Sequence, residues 1–291
     1  MLHELPEHPA AKAVLAEMTD VLAYDVQGLD SETAQRSTIS AQLALLASGV
    51  ATARTLMAGG LKPIAVLGIS VGAFAAAVTA QAISLADATR LVQSRAEQME
   101  KLFPAGYGMG AIVGLTEMQA IKLVQAMSTD AEPVFAANVN APRQIAIAGA
   151  VPAIKKVLSL ALRQGAHKAE LLHVTVPSHC PLMEPVACSL KAELATIRLS
   201  DPTTIYIANM NARPMRSAEG IGTDLAESVA RGVRWNEATN VARELGCAFF
   251  VQTPPGHTLV DLVRENLEGV EAYAITSDNL EPVLKRAQSG K

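Results

Sequence analysis

From Pro63 to Ala86 the chain carries no charged residue. Within that stretch Gly68-Ile69-Ser70-Val71-Gly72 separates a short β-prone run, Ile64–Leu67, from an Ala-rich segment. Two structures tolerate so long an uncharged run: a membrane helix, or a buried strand that turns into a buried helix. The spacing Gly68-x-x-x-Gly72 matches the small-residue packing motif of membrane helices. However, the pentapeptide interrupts the apolar run, and Thr79, Gln81 and Ser84 follow it. The soluble reading is therefore preferred, with a strand over 64–67, a tight turn and a helix over 72–81.

At 291 residues the chain is long enough to bury a large core, as one domain or as a domain with an insert. Half of its residues are hydrophobic and 18% are charged, which describes a well-buried α/β protein and excludes disorder. A net charge of −4 without a Lys/Arg run gives no footprint for nucleic acid. Cys180, Cys188 and Cys247 form no Cys-x-x-Cys pair, and residues 1–10 lack the apolar core of a signal peptide. A reducing cytoplasm is expected, with no metal or redox cofactor.

Periodicity and capping signals predict helices over 9–22, 38–58 and 85–102, the last with Ser84 as N-cap. Between about 108 and 175 the order changes to strand, helix, strand, strand, helix, strand, over 110–115, 117–127, 134–138, 144–148, 153–163 and 169–174. That βαββαβ order is ferredoxin-like. The expected architecture is therefore an α/β, hydrolase-like parallel-sheet core formed by residues 1–105 and 176–291, with a ferredoxin-like subdomain, 106–175, inserted. In the C-terminal part, helices near 181–197, 222–230, 236–245 and 258–267 alternate with strands near 204–208, 247–252 and 271–275, a pattern of parallel strands with crossover helices. Gly106-Tyr107-Gly108-Met109-Gly110 lacks a preceding strand and reads as a flexible entry into the insert, not as a dinucleotide loop.

A serine in a strand–turn–helix with glycines on both sides is the pattern of a nucleophile elbow. The tight turn exposes the hydroxyl, and the following helix offers its N-terminal dipole and the Val71 amide to a developing oxyanion. The bland reading is a glycine-rich turn that lets a strand and a helix pack closely. Ser70 needs a base. Of six histidines, His3 and His8 lie in a polar N-terminal segment, and His167 and His173 flank or enter the last strand of the insert. His179 and His257 lie on loops next to helix starts, and position favours His179 only slightly over His257; the alternative role of His179 is to cap the helix that begins near Pro181. Arg95 falls within the apolar stripe Ala88, Leu91, Val92, Met99 and Leu102 of its helix. A buried guanidinium requires an anion, which is either a protein carboxylate or a carboxylate on the substrate.

These pieces, taken in order, resemble the malonyl-CoA:acyl carrier protein transacylases over nearly the whole chain. The resemblance rests on the Gly68–Gly72 elbow, Arg95 within Leu91–Met99, Asn138-Val139-Asn140-Ala141-Pro142-Arg143-Gln144, Val176–Cys180, Val233-Arg234-Trp235 and Pro255-Gly256. It implies acylation of Ser70, His179 as base, Val71 as oxyanion donor and Arg95 as partner of the malonyl carboxylate. It also implies substrate contacts from Asn138, Asn140 and Gln144, and a backbone carbonyl, assigned to Ser228, that orients the histidine. The implied partners are malonyl-CoA and an acyl carrier protein. Ile69 stands where the family usually has histidine. The family's usual opening strand and Phe-Pro-Gly-Gln-Gly turn, which brings a second oxyanion donor, do not precede Met1-Leu2 in this sequence. Ser70-Val71-Gly72-Ala73-Phe74 resembles most the transacylase subunit of malonate decarboxylase, which implies that enzyme's other subunits as further partners. The alternatives are the transacylase of fatty-acid synthesis and, from other classes, a serine hydrolase or a non-catalytic scaffold.

Overall fold

The computed structural model of the chain describes residues 1–103 and 105–289; residue 104, beside the expected boundary of the insert, and residues 290–291 lie outside it. Helix α1 (Pro9–Leu22) starts on His8, whose ring accepts the Ala10 N–H, and stops where Ala23 adopts a left-handed conformation. Helix α2 (Thr38–Ala58) is capped by Ser37 and buries residues on every side, so it runs through the core. Strand β1 (Ala65–Val66) leads through the elbow into α3 (Gly72–Thr79), and α4 (Leu85–Leu102) follows with Ser84 accepting the Asp87 N–H. Alanine and glycine abundance has a direct packing use. A Cβ on Gly49 of α2 would stand 2.9 Å from the Ala75 Cβ of α3, so only small residues let these helices approach so closely.

The insert comprises β2 (Tyr107–Val113), α5 (Glu117–Met127), β3 (Val134–Ala141), β4 (Gln144–Ala150), α6 (Val151–Arg163) and β5 (Lys168–Leu171). Its strands form one antiparallel sheet in the order β3-β4-β2-β5, with a hydrophobic cluster of its own built on Ile112, Ile145, Ile147, Ile154 and Val157. Strand β2 begins at Tyr107, so most of Gly106–Gly110 belongs to the strand and is not a flexible entry. Here the glycines clear space: a Cβ on Gly110 would meet Ile154 of α6 at 2.9 Å, and one on Gly108 the Val174 carbonyl at 2.8 Å.

The chain then returns through α7 (Glu184–Leu194), β6 (Ile205–Ile207), β7 (Pro214–Met215), α8 (Ala218–Glu227), α9 (Trp235–Glu244), β8 (Phe249–Gln252), α10 (Thr258–Asn266), β9 (Glu271–Ala274) and α11 (Leu280–Ser289). The expected parallel pairing occurs between β1 and β6 and between β8 and β9, with α10 as the crossover of the second pair. Two departures concern the edges. The strands form two ladders, β1-β6-β7 and β8-β9, and β7 pairs antiparallel with β6. The connection Ala208–Arg213 is too short to hold the crossover that a parallel strand needs, so the chain returns as a hairpin. Strand β7 and helix α11 were not anticipated.

Core and insert are joined by specific bonds. The Val139 N–H donates to the Val233 carbonyl at 2.8 Å, and the Arg234 guanidinium spans the Glu117 carboxylate at 2.5 and 3.2 Å. Among the described residues no helix is long and apolar enough to cross a membrane.

Candidate active site

Ser70 is the residue on which the local geometry turns. Its φ is +57°, a left-handed conformation uncommon for a residue with a side chain and characteristic of strained elbows. The Gly68 requirement is strict, because a Cβ there would lie 2.3 Å from the Gly72 carbonyl oxygen. Gly72 itself faces open space, so of the two glycines that flank the serine only Gly68 is required by contact. Asn209, just beyond β6, holds both ends of the turn: its amide oxygen accepts the Ser70 N–H at 3.0 Å and its amide nitrogen donates to the Gly68 carbonyl at 2.9 Å. The Val71 N–H makes no hydrogen bond among the described residues and stands at the start of α3.

Arg95 comes to Ser70 from α4. Only 2% of it is exposed; its Nη2 donates to Ser70 Oγ at 2.9 Å and its Nη1 to Gln42 Oε1 of α2. No carboxylate bonds to it among the described residues, and both of its partners are neutral. Burial lowers its pKa to about 10, which leaves it charged at neutral pH. Of the two anions left open by the sequence, a protein carboxylate is not found beside Arg95 among the described residues. Gln42 was missed; its signal is that of Arg95, a long polar side chain within the apolar run Ile39–Val50.

His179 is also 2% exposed and lies in a left-handed bend, φ +63°. Its N–H donates to the Val229 carbonyl at 2.7 Å and its ring Nδ1 sits 2.7 Å from the Ser228 carbonyl oxygen. A carbonyl can only accept, so Nδ1 carries the proton and Nε2 is left as the lone-pair nitrogen. Nε2 is buried with no partner among the described residues. Burial first, then the nearby Arg95 charge, lowers the pKa of His179 to about 4, against the opposing pull of the Ser228 carbonyl. The ring is therefore neutral near neutral pH, with its free lone pair on Nε2. His257, by contrast, is 75% exposed and its Nδ1 bonds to Asp261.

The three residues expected to contact substrate are placed differently. Asn138 is buried on β3, with its amide oxygen unpartnered among the described residues. The Asn140 carbonyl accepts from Asn266 Nδ2 at 3.0 Å, and Gln144 opens β4 opposite Val113 and Ala141. None of the three hydrogen-bonds to Ser70, Arg95 or His179. A pocket of about 330 Å³ lies at the far end of α3, lined by Arg54, Gln81, Ile83 and Arg198 among others, and includes none of the residues gathered at the elbow.

An α/β core with a serine elbow, a neutral histidine and an unneutralised buried arginine has the organisation of an acyl transferase, and the acyl transferase domain family matches residues 7–290. The malonyl CoA-acyl carrier protein transacylase of Salmonella typhimurium is 32% identical over 94% of this chain and 91% of its own. The malonyl CoA-acyl carrier protein transacylase structure from Coxiella burnetii superposes with a TM-score of 0.92 at 31% identity, covering 97% of this chain and 90% of that one. A malonyl-transacylase solved in complex with a type II polyketide synthase acyl carrier protein gives a TM-score of 0.91 at 31% identity, over 96% and 92% of the two chains. The chain belongs to the malonyl-CoA:acyl carrier protein transacylase family, and it is an acyltransferase of that type.

Proposed function

We propose that the protein moves a malonyl group from malonyl-CoA to the thiol of an acyl carrier protein through a malonyl ester on Ser70. The observation that carries this reading is Arg95: a buried, charged guanidinium with only neutral partners, donating to the very hydroxyl that would be acylated. A carboxylate two bonds from the reacting carbonyl carbon supplies the missing anion. His179 Nε2 takes the Ser70 proton, and Ser70 Oγ attacks the thioester carbon. The Val71 N–H meets the oxyanion, and the departing CoA thiolate recovers the proton from His179. The carrier thiol then gives its proton to Nε2 and attacks the ester carbon; the C–O bond to Ser70 breaks, and the serine oxygen takes the proton back from Nε2. Throughout, the Ser228 carbonyl keeps Nδ1 protonated, as a triad carboxylate does elsewhere.

The relatives named above favour the transacylase of fatty-acid synthesis over the malonate decarboxylase subunit, whose support is the Ser70–Phe74 segment. The proposed contacts of Asn138, Asn140 and Gln144 with substrate rest on the family motif alone. Intact-protein mass spectrometry after brief exposure to malonyl-CoA tests the central step. A malonyl adduct is expected on the wild type and none on Ser70→Ala. Transfer of that adduct to a fatty-acid carrier, a decarboxylase-type carrier or water separates the two settings and the hydrolase. No adduct on the wild type would leave the scaffold reading.

A further inference from the structure

The Asn209 clamp is itself held by a buried carboxylate. Asp224 on α8 is fully buried and accepts four hydrogen bonds. The Asn209 N–H reaches both of its oxygens at 3.0 Å, the Met210 N–H reaches Oδ1 at 3.1 Å and the Tyr206 hydroxyl donates to Oδ2 at 2.7 Å. It forms no ion pair among the described residues, and burial raises its pKa. A buried carboxylate without a cation is costly, and an apolar residue would suit the face that also carries Ile221 and Leu225. Two backbone N–H groups and a phenol converge there from the end of β6, and among side chains a carboxylate has the acceptor capacity for all of them. The Asn209 carbonyl is fixed as well, accepting the Arg234 N–H at 2.8 Å. An unbroken chain of contacts thus runs from α8 through Asp224 and Asn209 to the backbone on either side of Ile69.

We propose that Asp224 is a positioning residue for acyl transfer, holding through Asn209 the left-handed elbow that presents Ser70. The inference rests on the reading of Ser70 as nucleophile. An elbow that relaxes by even about 1 Å displaces both the hydroxyl and the Val71 amide from the reacting carbon, which lowers the chemical step by about a hundredfold and leaves substrate binding nearly intact.

The experiment follows Ser70 malonylation by rapid quench and mass spectrometry, together with kcat, KM for malonyl-CoA and a melting curve, in Asn209→Ala, Asp224→Ala, their double variant and Asp224→Asn. Each alanine variant is expected to lower kcat about 10- to 100-fold with KM within about threefold. The double variant should be no more than about threefold worse than the poorer single one, because both act on one turn. Asp224→Asn should recover to within about fivefold of wild type, since its amide oxygen still accepts the two backbone N–H groups and its nitrogen can donate to Tyr206. The proposal is overturned if folded Asn209→Ala keeps wild-type kcat, or if Asp224→Asn is as slow as Asp224→Ala. Should Asp224→Ala not fold, Asn209→Ala and Asp224→Asn decide the question by themselves. A malonyl adduct on Ser70→Ala would instead remove the nucleophile reading, a result distinct from any of these.

Discussion

Arg95 holds a full charge in the core while bonding only to a hydroxyl and an amide oxygen. Replacing either partner by a carboxylate would neutralise it, whereas Gln42 orients the guanidinium and leaves its charge available. Selectivity among acyl donors follows. In the proposed reaction, Arg95→Ala removes charge-assisted bonds that a malonyl group would make and an acetyl group could not, a loss of ~2–5 kcal/mol. Malonyl transfer is expected to fall ~30-fold to a few thousand-fold, and acetyl transfer little. Gln42→Glu should act in the same direction, because an internal carboxylate would compete for the cation. Parallel loading assays with malonyl-CoA and acetyl-CoA, each beside a melting curve, check both variants. Equal loss for the two donors would contradict the assignment.

The unit at the next scale is strand–elbow–helix, from β1 to α3. The two glycines of its pentapeptide look equivalent in sequence and differ in space. Gly68→Ala forces a methyl group against the Gly72 backbone, at 2.3 Å from its oxygen, so the turn must open. A loss of stability of ~1–3 kcal/mol is expected, with acylation of Ser70 slowed by ~100-fold or more. Gly72→Ala meets open space at a helix start, where alanine is the better helix former, and should leave stability within about 1 kcal/mol of wild type. Thermal unfolding of the two variants in parallel distinguishes the positions, and equal destabilisation would show that the elbow is more plastic than its geometry indicates.

At the scale of the whole molecule, burial of His179 links the site to folding. Its pKa of about 4 lies below the ordinary value of 6.5, so between those pH values the unfolded chain binds more protons than the folded one. Stability therefore rises with pH across that window and is progressively lost as pH falls from about 6.5 toward 4, on the order of 3 kcal/mol for this group. Asp224, whose pKa is raised, acts with the opposite sign above its ordinary value, so the histidine is isolated by subtraction. Denaturant titrations at pH 4.5, 5.5 and 7 are expected to show a steeper decline for wild type than for His179→Ala. Parallel slopes would mean that the ring is solvated in the folded protein.

Much of this organisation is set by near neighbours along the chain. The 3.6-residue stripe around Arg95, the Ser84 cap, the βαββαβ order and the Gly68–Gly72 turn depend on residues within a few positions of one another, and each was legible in the sequence. Whether the Arg95 anion would come from the protein was not, because its partners Gln42 and Ser70 lie 53 and 25 positions away and meet it only when α2 and α4 pack across the elbow. His179 and His257 looked alike as loop histidines; burial against the Ser228–Ala230 turn, 49 residues from His179, separates them. The clamp from Asn209 to Ser70 spans 139 residues, and the sequence of α8 gives no reason for Asp224 to be buried until three donors, Tyr206 of β6 and Asn209 and Met210 just beyond it, converge on it. The edge pairing of β7 was likewise decided by the length of one connection. Local pattern determines which residues share a face, but the partner each polar group finds in the core depends on packing between distant segments, and at this site those partners decide which proton and which charge are free to act.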